Sequence, residues 1–310
     1  MKLVRREVIS LKVETTYRTD AVPSPATDSL LVENLSWGIE GLRMVERNPI
    51  RPSLAAMKSL YAGSLITVSF DAEIKGSGTV AVAPEIGAAF VGCGMLETVT
   101  ALTSVGYTPA STDHKSVTIY IYEDGDLMKL VGCVGKIGGN IETGNTGKVS
   151  FTFVGHLDTA PSATALPSPS YDSTLPVPLI NVPFVVGAYS AEINALSFDD
   201  GNNVVTPSSI SKADGYGQIR IIGRKFTGSF DPEADLVATK DFLAEFKAGT
   251  TVALDTGVIG ADAGNKYQIT MPVVNYTEFG NGDKDGIRTR EIGFEALEST
   301  TDDEFSIVFT

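Results

Sequence analysis

The chain has 310 residues, 43% of them hydrophobic, with 38 acidic side chains against 24 basic ones and a formal net charge of −14. That length has room for about two average domains, and the acidic balance excludes a protein that grips nucleic acid by neutralising phosphates. Two cysteines (Cys93, Cys133) are too few for a disulfide framework, and with two histidines (His114, His156) they leave little material for a Cys/His zinc site and form no C-x-x-C pair, so the cysteines are read as small buried hydrophobes. No run of about 18 apolar residues marks a membrane span, and the N-terminus lacks the apolar stretch of a signal peptide. The expectation is a soluble protein made in a reducing cytoplasm.

In chain order, LLVENLSWGIEG from Leu30 opens as a strand. Next, Val68, Phe70, Ala72 and Ile74 alternate with Ser69, Asp71, Glu73 and Lys75, the period of a strand with one buried and one wet face. It runs into Gly76-Ser77-Gly78-Thr79-Val80-Ala81, which imitates a dinucleotide-binding turn. A Rossmann first strand is central, parallel and continuously apolar, whereas this one alternates. The matching loop of the second half also puts Phe230 where the second glycine stands. We read the loop as a strand-to-helix turn.

A helix is expected over 84–93, stopped by Gly94, with Ile86 and Phe90 packed against the sheet. Residues 117–122 have the β-branched and aromatic enrichment of a strand. Asp124-Gly125 is expected to form a type I′ hairpin turn, and 149–154 again show period two. The proline-rich stretch 161–178 reads as a semi-stiff linker able to extend roughly 55 Å at ~3.1 Å per residue.

Beyond it the order of elements recurs: a strand, a strand ending in Gly-Ser, a proline-containing loop, one short helix (237–248, with Leu243 and Phe246 inward and Gly249 as its stop) and further strands. Low identity with the same order suggests an ancient duplication. The division is an extended arm at 1–29, a β domain at 30–160, the linker at 161–178 and a second β domain at 179–310.

Chemical motifs fare poorly. Residues 281–286 (NGDKDG) imitate an EF-hand loop, but position twelve is Ile292 instead of a bidentate Glu, so a hairpin turn is expected. His156 and Asp158 in GHLD have no placed nucleophile. No catalytic residue, metal site or cofactor is assigned, and the chain is not read as an enzyme.

The stretch VETTYRTDAVPSPATDSLLVENLSW from Val13, with ERNPIRPSLA from Glu46 and VSFDAEIKGSGTVAVAPEIGAAFVGCGM from Val68, resembles the tail tube proteins of long-tailed bacteriophages. The likeness covers most of the first half in wording and the second in element order. It implies a mainly β fold, two tandem tail-tube-like β-sandwich or barrel domains each with one short flanking helix. It implies a virion structural protein whose stacked rings form a hollow tail tube for DNA delivery.

The partners implied are other copies of the chain, the tape measure protein in the lumen before ejection, and tail terminator and distal tail proteins at the tube ends. DNA passes without specific binding, and no membrane is involved. Two halves per chain suggest three chains acting as a pseudo-hexamer; the rival is six chains with the second half outside the tube.

Six domains of four strands ~4.8 Å apart, tilted by ~40°, make a barrel roughly 45–50 Å across, wide enough for a duplex. Ser69, Asp71, Glu73 and Lys75 are the candidates for the lumen or a subunit interface. An alternative of another class is a carbohydrate-binding or adhesive β module on the virion surface, marked by exposed aromatics at one loop end.

Overall fold

The computed structural model describes residue 3 and residues 5–310. Among them, fourteen strands of four or more residues and two short helices make a mainly β protein. In chain order they are β1 (Glu7–Val13), β2 (Val32–Glu40), β3 (Leu65–Glu73), α1 (Gly87–Gly92), β4 (Met95–Thr100), β5 (Ser104–Pro109), β6 (Val117–Glu123), β7 (Asp126–Glu142) and β8 (Lys148–Leu157). The second half adds β9 (Ala195–Asp199), β10 (Thr227–Phe230), α2 (Phe242–Ala248), β11 (Val252–Asp255), β12 (Tyr267–Lys284), β13 (Ile287–Leu297) and β14 (Ser306–Phe309).

One antiparallel sheet of eight strands organises the molecule. Its order is β2-β3-β8-β7 from the first half, then β9-β10-β13-β12 from the second. Each half uses the same plan: two strands, a helix, then a hairpin whose later strand lies beside the second strand. The halves meet where β7 pairs with β9, from Gly138↔Asp199 to Glu142↔Ala195.

A second layer covers one face. There β1 pairs with β6, β6 with the early part of β7, and β11 with the early part of β12. The β4–β5 hairpin leaves the first half to pair with β14, which lies against β12. Both long strands, β7 and β12, carry a register shift, the local bend a strand uses to serve two layers. One apolar cluster runs through both halves, from Ile9, Phe70, Phe90 and Phe151 to Phe198, Phe294 and Phe305.

Glycines shape that interior at two positions in one cross-strand row. A Cβ at Gly139 would stand 2.1 Å from the Phe198 ring, and one at Gly228 would stand 2.5 Å from the Phe294 ring. The missing side chains are the space these phenylalanines fill. The Gly76–Gly78 loop obeys the same rule. A Cβ on Gly76 would meet the Gly264 carbonyl at 2.0 Å, Gly78 N donates to that carbonyl at 3.0 Å, and Gly76 N donates to Asn265 Oδ1 at 2.9 Å. The loop is glycine-rich because a turn of the second half rests on it.

Several expectations need correction. The segment expected as a free arm is largely integral: β1 pairs with β6 over seven residues, and Val8, Ile9 and Leu11 are buried. Alternating apolar residues there had a partner strand available more than a hundred positions away. Met1, Lys2 and Val4 lie outside the described residues.

Helix α2 starts later than expected because the Asp241 carboxylate caps it, accepting from Ala244 N at 2.9 Å. The start at Phe242 puts Phe242 and Phe246 on one face. Phe242 is buried, Phe246 is half-buried against Phe279, and Leu243 points outward, 41% exposed. In α1, Ile86 at the N-cap and Phe90 are buried.

The Asp124-Gly125 turn is not type I′, since of the two only Gly125 has positive φ. The I′ turn is at Asp285-Gly286 (φ 53° and 86°), between the paired Lys284 and Ile287. The linker is extended but strapped down: Ser162 and Ala163 pair with β7, Ser170 N donates to Pro25 O, and Leu175 O accepts from Asn265 Nδ2.

Candidate assembly interface

The face of the eight-stranded sheet turned away from the second layer is polar by the period of its strands. Glu33, Asp71, Ser150, Gly138, Asp199, Thr227, Glu295 and Asn275 form one continuous row across all eight strands. The adjacent row contributes Glu73, Lys148, Asn140, Ser197, Ser229 and Glu278. Carboxylates prevail over the few lysines, and two of those are engaged: Lys148 with Glu33 at 2.7 Å and Lys225 with Glu295 at 2.9 Å.

Ser69, Asp71 and Glu73 lie on this face, half-buried, while Val68, Phe70 and Ile74 are in the core. Asp71 accepts from Ser150 Oγ at 2.5 Å and Asn34 Nδ2 at 2.7 Å, which binds three neighbouring strands side chain to side chain. Lys75 does not share the face. Just past the end of β3 it is buried under the linker, its Nζ 2.9 Å from Asp172 O and 3.6 Å from the Glu85 carboxylate. A lone ammonium there is held by a carboxylate and a carbonyl, which is what keeps a buried charge tolerable.

The sheet has two ends. Strand β2 at one end is mostly exposed, with Trp37 and Ile39 at 46% and 59%. At the other end the last eight residues of β12, from Thr277 to Lys284, are also largely exposed. Unpaired edges carrying apolar side chains are templates for further strands. Between the halves the corresponding edges are already joined. There Asp200 extends the seam: its N donates to Ile137 O and its carboxylate accepts from Ile137 N at 2.9 Å. Burial pushes the Asp200 carboxyl up to about 7, against the pull of the Asn202 and Ile137 N–H donors.

A polar clamp that sequence reasoning missed joins the N-terminal segment to both halves. Glu14, 3% exposed, accepts from Gly132 N, Thr118 Oγ1, Ser116 Oγ and Arg18 N at 2.5–2.9 Å. Beside it the Ile219 N–H donates to Tyr17 Oη (2.8 Å), Tyr17 donates to His156 Nε2 (2.9 Å), and His156 Nδ1–H donates to Asp214 (2.6 Å). Arg18 completes the set at 2.9 Å from Asp214.

Burial lowers the His156 pKa, outweighing the opposite pull of Asp214, and burial raises Tyr17 to about 12. The Tyr–His–Asp order resembles an acid–base relay, but His156 is fully buried and every polar atom of it is already partnered. It works as a clamp. Asp158, the other acidic member of GHLD, donates its backbone N–H to Lys129 O at 3.0 Å. The only forewarning was that His156 ends an alternating strand, where a ring facing the wrong side needs partners.

The two connections between the first and second strands of each half differ. In the second half 200–226 folds back, and Tyr216 and Ile219 are buried with Leu65 and Val134. In the first half 41–64 projects past the end of the sheet. Only Met44–Val45 and Leu60–Tyr61 pair within it, and Ile50 and Leu54 are fully exposed (105% and 106%).

Among the described residues, no group of three His, Cys, Asp or Glu side chains is placed to hold a metal, and no helix is long and apolar enough to cross a membrane. Both cysteines are free and buried, and burial pushes their thiols up. No curated protein matches the chain. A family model described as Phage tail tube protein matches residues 5–296, nearly the whole length. With a mainly β structure, a polar sheet face and two open edges, the chain belongs to the phage tail tube protein family, as a structural component of the virion tail.

Proposed function

We propose that three copies of the chain close into one ring, each supplying eight strands of a 24-stranded barrel, and that stacked rings form the tube through which DNA is delivered. One observation carries this: both halves repeat the same four-strand order in a single sheet that ends in two open edges. The seam between β7 and β9 is then the covalently tied version of the contact between β12 of one chain and β2 of the next. Eight alternating strands leave β2 and β12 running in opposite directions, so the new contact is antiparallel like every other pair.

The polar face becomes the lumen wall, with Ser69, Asp71 and Glu73 on it. Its carboxylates repel a duplex at close range, since binding by counterion release needs the opposite sign. The tape measure protein fills the lumen before ejection, and tail terminator and distal tail proteins cap the ends. Synthesis is in the host cytoplasm, with no cofactor and no catalytic role. The adhesive alternative is poorly supported: the exposed large aromatics are Trp37 on the edge strand and Tyr61 at the base of the projecting loop.

Native mass spectrometry and cryo-electron microscopy of the purified protein test the reading. Three chains of 32.8 kDa give a ring near three times that mass, with both halves lining the channel. A ring of six chains with the second half outside the tube would end it.

A further inference from the structure

The geometry points to a fixed register and an aromatic anchor for the contact between neighbouring chains of a ring: Gly280 of one chain faces Gly38 of the next, and Trp37 and Ile39 close over Phe279. This rests on the ring of three proposed above and names the residues by which β12 of one chain meets β2 of another. The register follows from the repeat inside the chain. Leu130 and Cys133 pair with Ile119 and Val117, and Met271 and Val274 pair with Leu254 and Val252. In both halves three steps along the long strand match two along its partner. The same bulge thus occurs twice, and it makes Cys133 the counterpart of Val274.

From that point the ladders carry the correspondence across each half. Past one extra residue in β12, Thr277, the row Ile137, Phe151, Phe70 has its counterpart in Phe279, Ile292, Phe230. One strand further, Trp37 beside Val68 corresponds to Phe198 beside Gly228. The serines agree: Ser36 faces Ser69 in the first half, and Ser197 faces Ser229 at the matching place in the second. The seam inside the chain pairs Gly138 with Asp199, Gly139 with Phe198 and Asn140 with Ser197. Carried over to the open edges, it pairs Gly280 with Gly38, Asn281 with Trp37 and Gly282 with Ser36. Ile137, whose carbonyl accepts from Asp200 N, becomes Phe279 opposite Ile39. A slip of one residue would set Trp37 and Ile39 against the polar face of the neighbour.

Each edge carries half of an apolar contact. Trp37 and Ile39 stand exposed on the core side of β2, and the indole N–H of Trp37 donates to Glu123. On the opposite edge Phe279 stacks on Phe246 of α2, and the Arg290 guanidinium, tied to Asn281, lies 5.6 Å from the Phe279 ring centre. An indole whose N–H is already satisfied brings apolar area and a π face to a ring and a cation, and residues of this kind dominate interfaces. The two seams differ in how the aromatic is seated. Phe198 lies across Gly139, where no side chain stands in its way. Asn281 has the Cβ that Gly139 lacks, so Trp37 turns along β12 toward Phe279. The seam between chains is thereby chemically distinct from the seam within one.

Trp37 is the only tryptophan of the chain, so its fluorescence reads the contact without any substitution. Ring formation should move its emission to shorter wavelength and cut acrylamide quenching severalfold; an unchanged signal in rings overturns the anchor. Trp37→Ala should keep the wild-type circular dichroism and raise the concentration needed for half-assembly roughly tenfold, and assembly like wild type overturns the anchor too. The register is tested by Gly38→Cys/Gly280→Cys in the full chain. A Cβ at Gly38 meets nothing within 4 Å, and one at Gly280 comes no closer than 3.3 Å to Glu291. In the inferred register the two are a non-hydrogen-bonded pair with Cα atoms about 4.5 Å apart, within disulfide reach. Within one chain they lie on opposite edges of the eight-stranded sheet, seven gaps of ~4.8 Å apart. Oxidation with copper phenanthroline under assembly conditions should give covalent dimers and trimers on non-reducing gels, and Ser36→Cys/Gly280→Cys should give none. The reverse pattern, or no cross-link in rings of three chains, overturns the register and leaves the tube reading standing. A wild type that forms no ring of three chains ends the tube reading first and this inference with it, which separates the two failures.

Discussion

The connection 200–226 and the connection 41–64 occupy the same place in the two halves, yet one is packed and the other is bare. The packed one carries Tyr216, whose ring lies under the Arg43 guanidinium (3.9 Å) and whose hydroxyl donates to Gly41 O. It also carries Asp214, the anchor of the His156 clamp. The bare one has its apolar residues at the tip and only its stem held, by Arg43 to Gly215 O at 3.0 Å and to Ser208 Oγ at 2.8 Å. Of the two connections in this shared position, the packed one is part of the core that joins the halves. The other has kept a surface free.

The sharpest way to break this contrast is Tyr216→Ala. It removes a buried aromatic and the cover over Leu65 and Val134, and should cost about 3–5 kcal/mol in denaturant unfolding. A loss below about 1 kcal/mol would mean the folded-back loop is not held there.

Acid gives a second, intermediate effect. The folded-state pKa of His156 is lowered by burial, so as pH falls below the ordinary value of about 6.5 the unfolded chain takes up a proton that the folded chain refuses. Stability is lost through that window down to the depressed folded value. Tyr17, Asp214, Arg18 and Glu14 are the groups that face the ring or bear on it. Asp200, raised to about 7, works in the opposite sense, gaining stability as pH falls from about 7 toward the unfolded carboxylate range.

The informative quantity is therefore the difference between wild type and His156→Gln, followed by unfolding from pH 7.5 to 5. The variant should lose less stability on acidification, and parallel profiles would remove His156 from the account. The smallest effect belongs to the projecting loop: Leu54→Ala should leave stability within about 0.5 kcal/mol. A larger change would show that the tip packs on its own chain.

Local chemistry was legible in the sequence, and distant pairing was not. The alternation of Val68, Phe70 and Ile74 with Ser69, Asp71 and Glu73 gave the two faces of β3 because a strand's period is a local property. Gly94 and Gly249 marked both helix ends, and φ is 81° and 62° there. What escaped were contacts between residues far apart in sequence. β1 reads as an arm until β6 is placed beside it. Lys75 continues the polar period until the linker closes over it. Leu243 reads as inward until Asp241 sets the helix start and turns Phe242 in instead. The seam of β7 with β9 and the reach of β5 to β14 leave no periodic trace, although Gly138-Gly139 marks the place where a neighbouring strand and its phenylalanine approach.

The β7–β9 seam also bears on how quickly a ring can be built. In a ring of three chains, half of the six seams form inside a chain, at an effective concentration set by a tether and not by the amount of protein in the cell. For short flexible linkers that local concentration is on the order of millimolar. The strapped linker goes further, because it has already removed most of the freedom a tether would otherwise lose. Only three seams between separate molecules remain, so the concentration dependence of ring formation should be third order at most where six separate domains would give sixth. Dilution, which starves a six-body assembly first, therefore penalises this architecture far less.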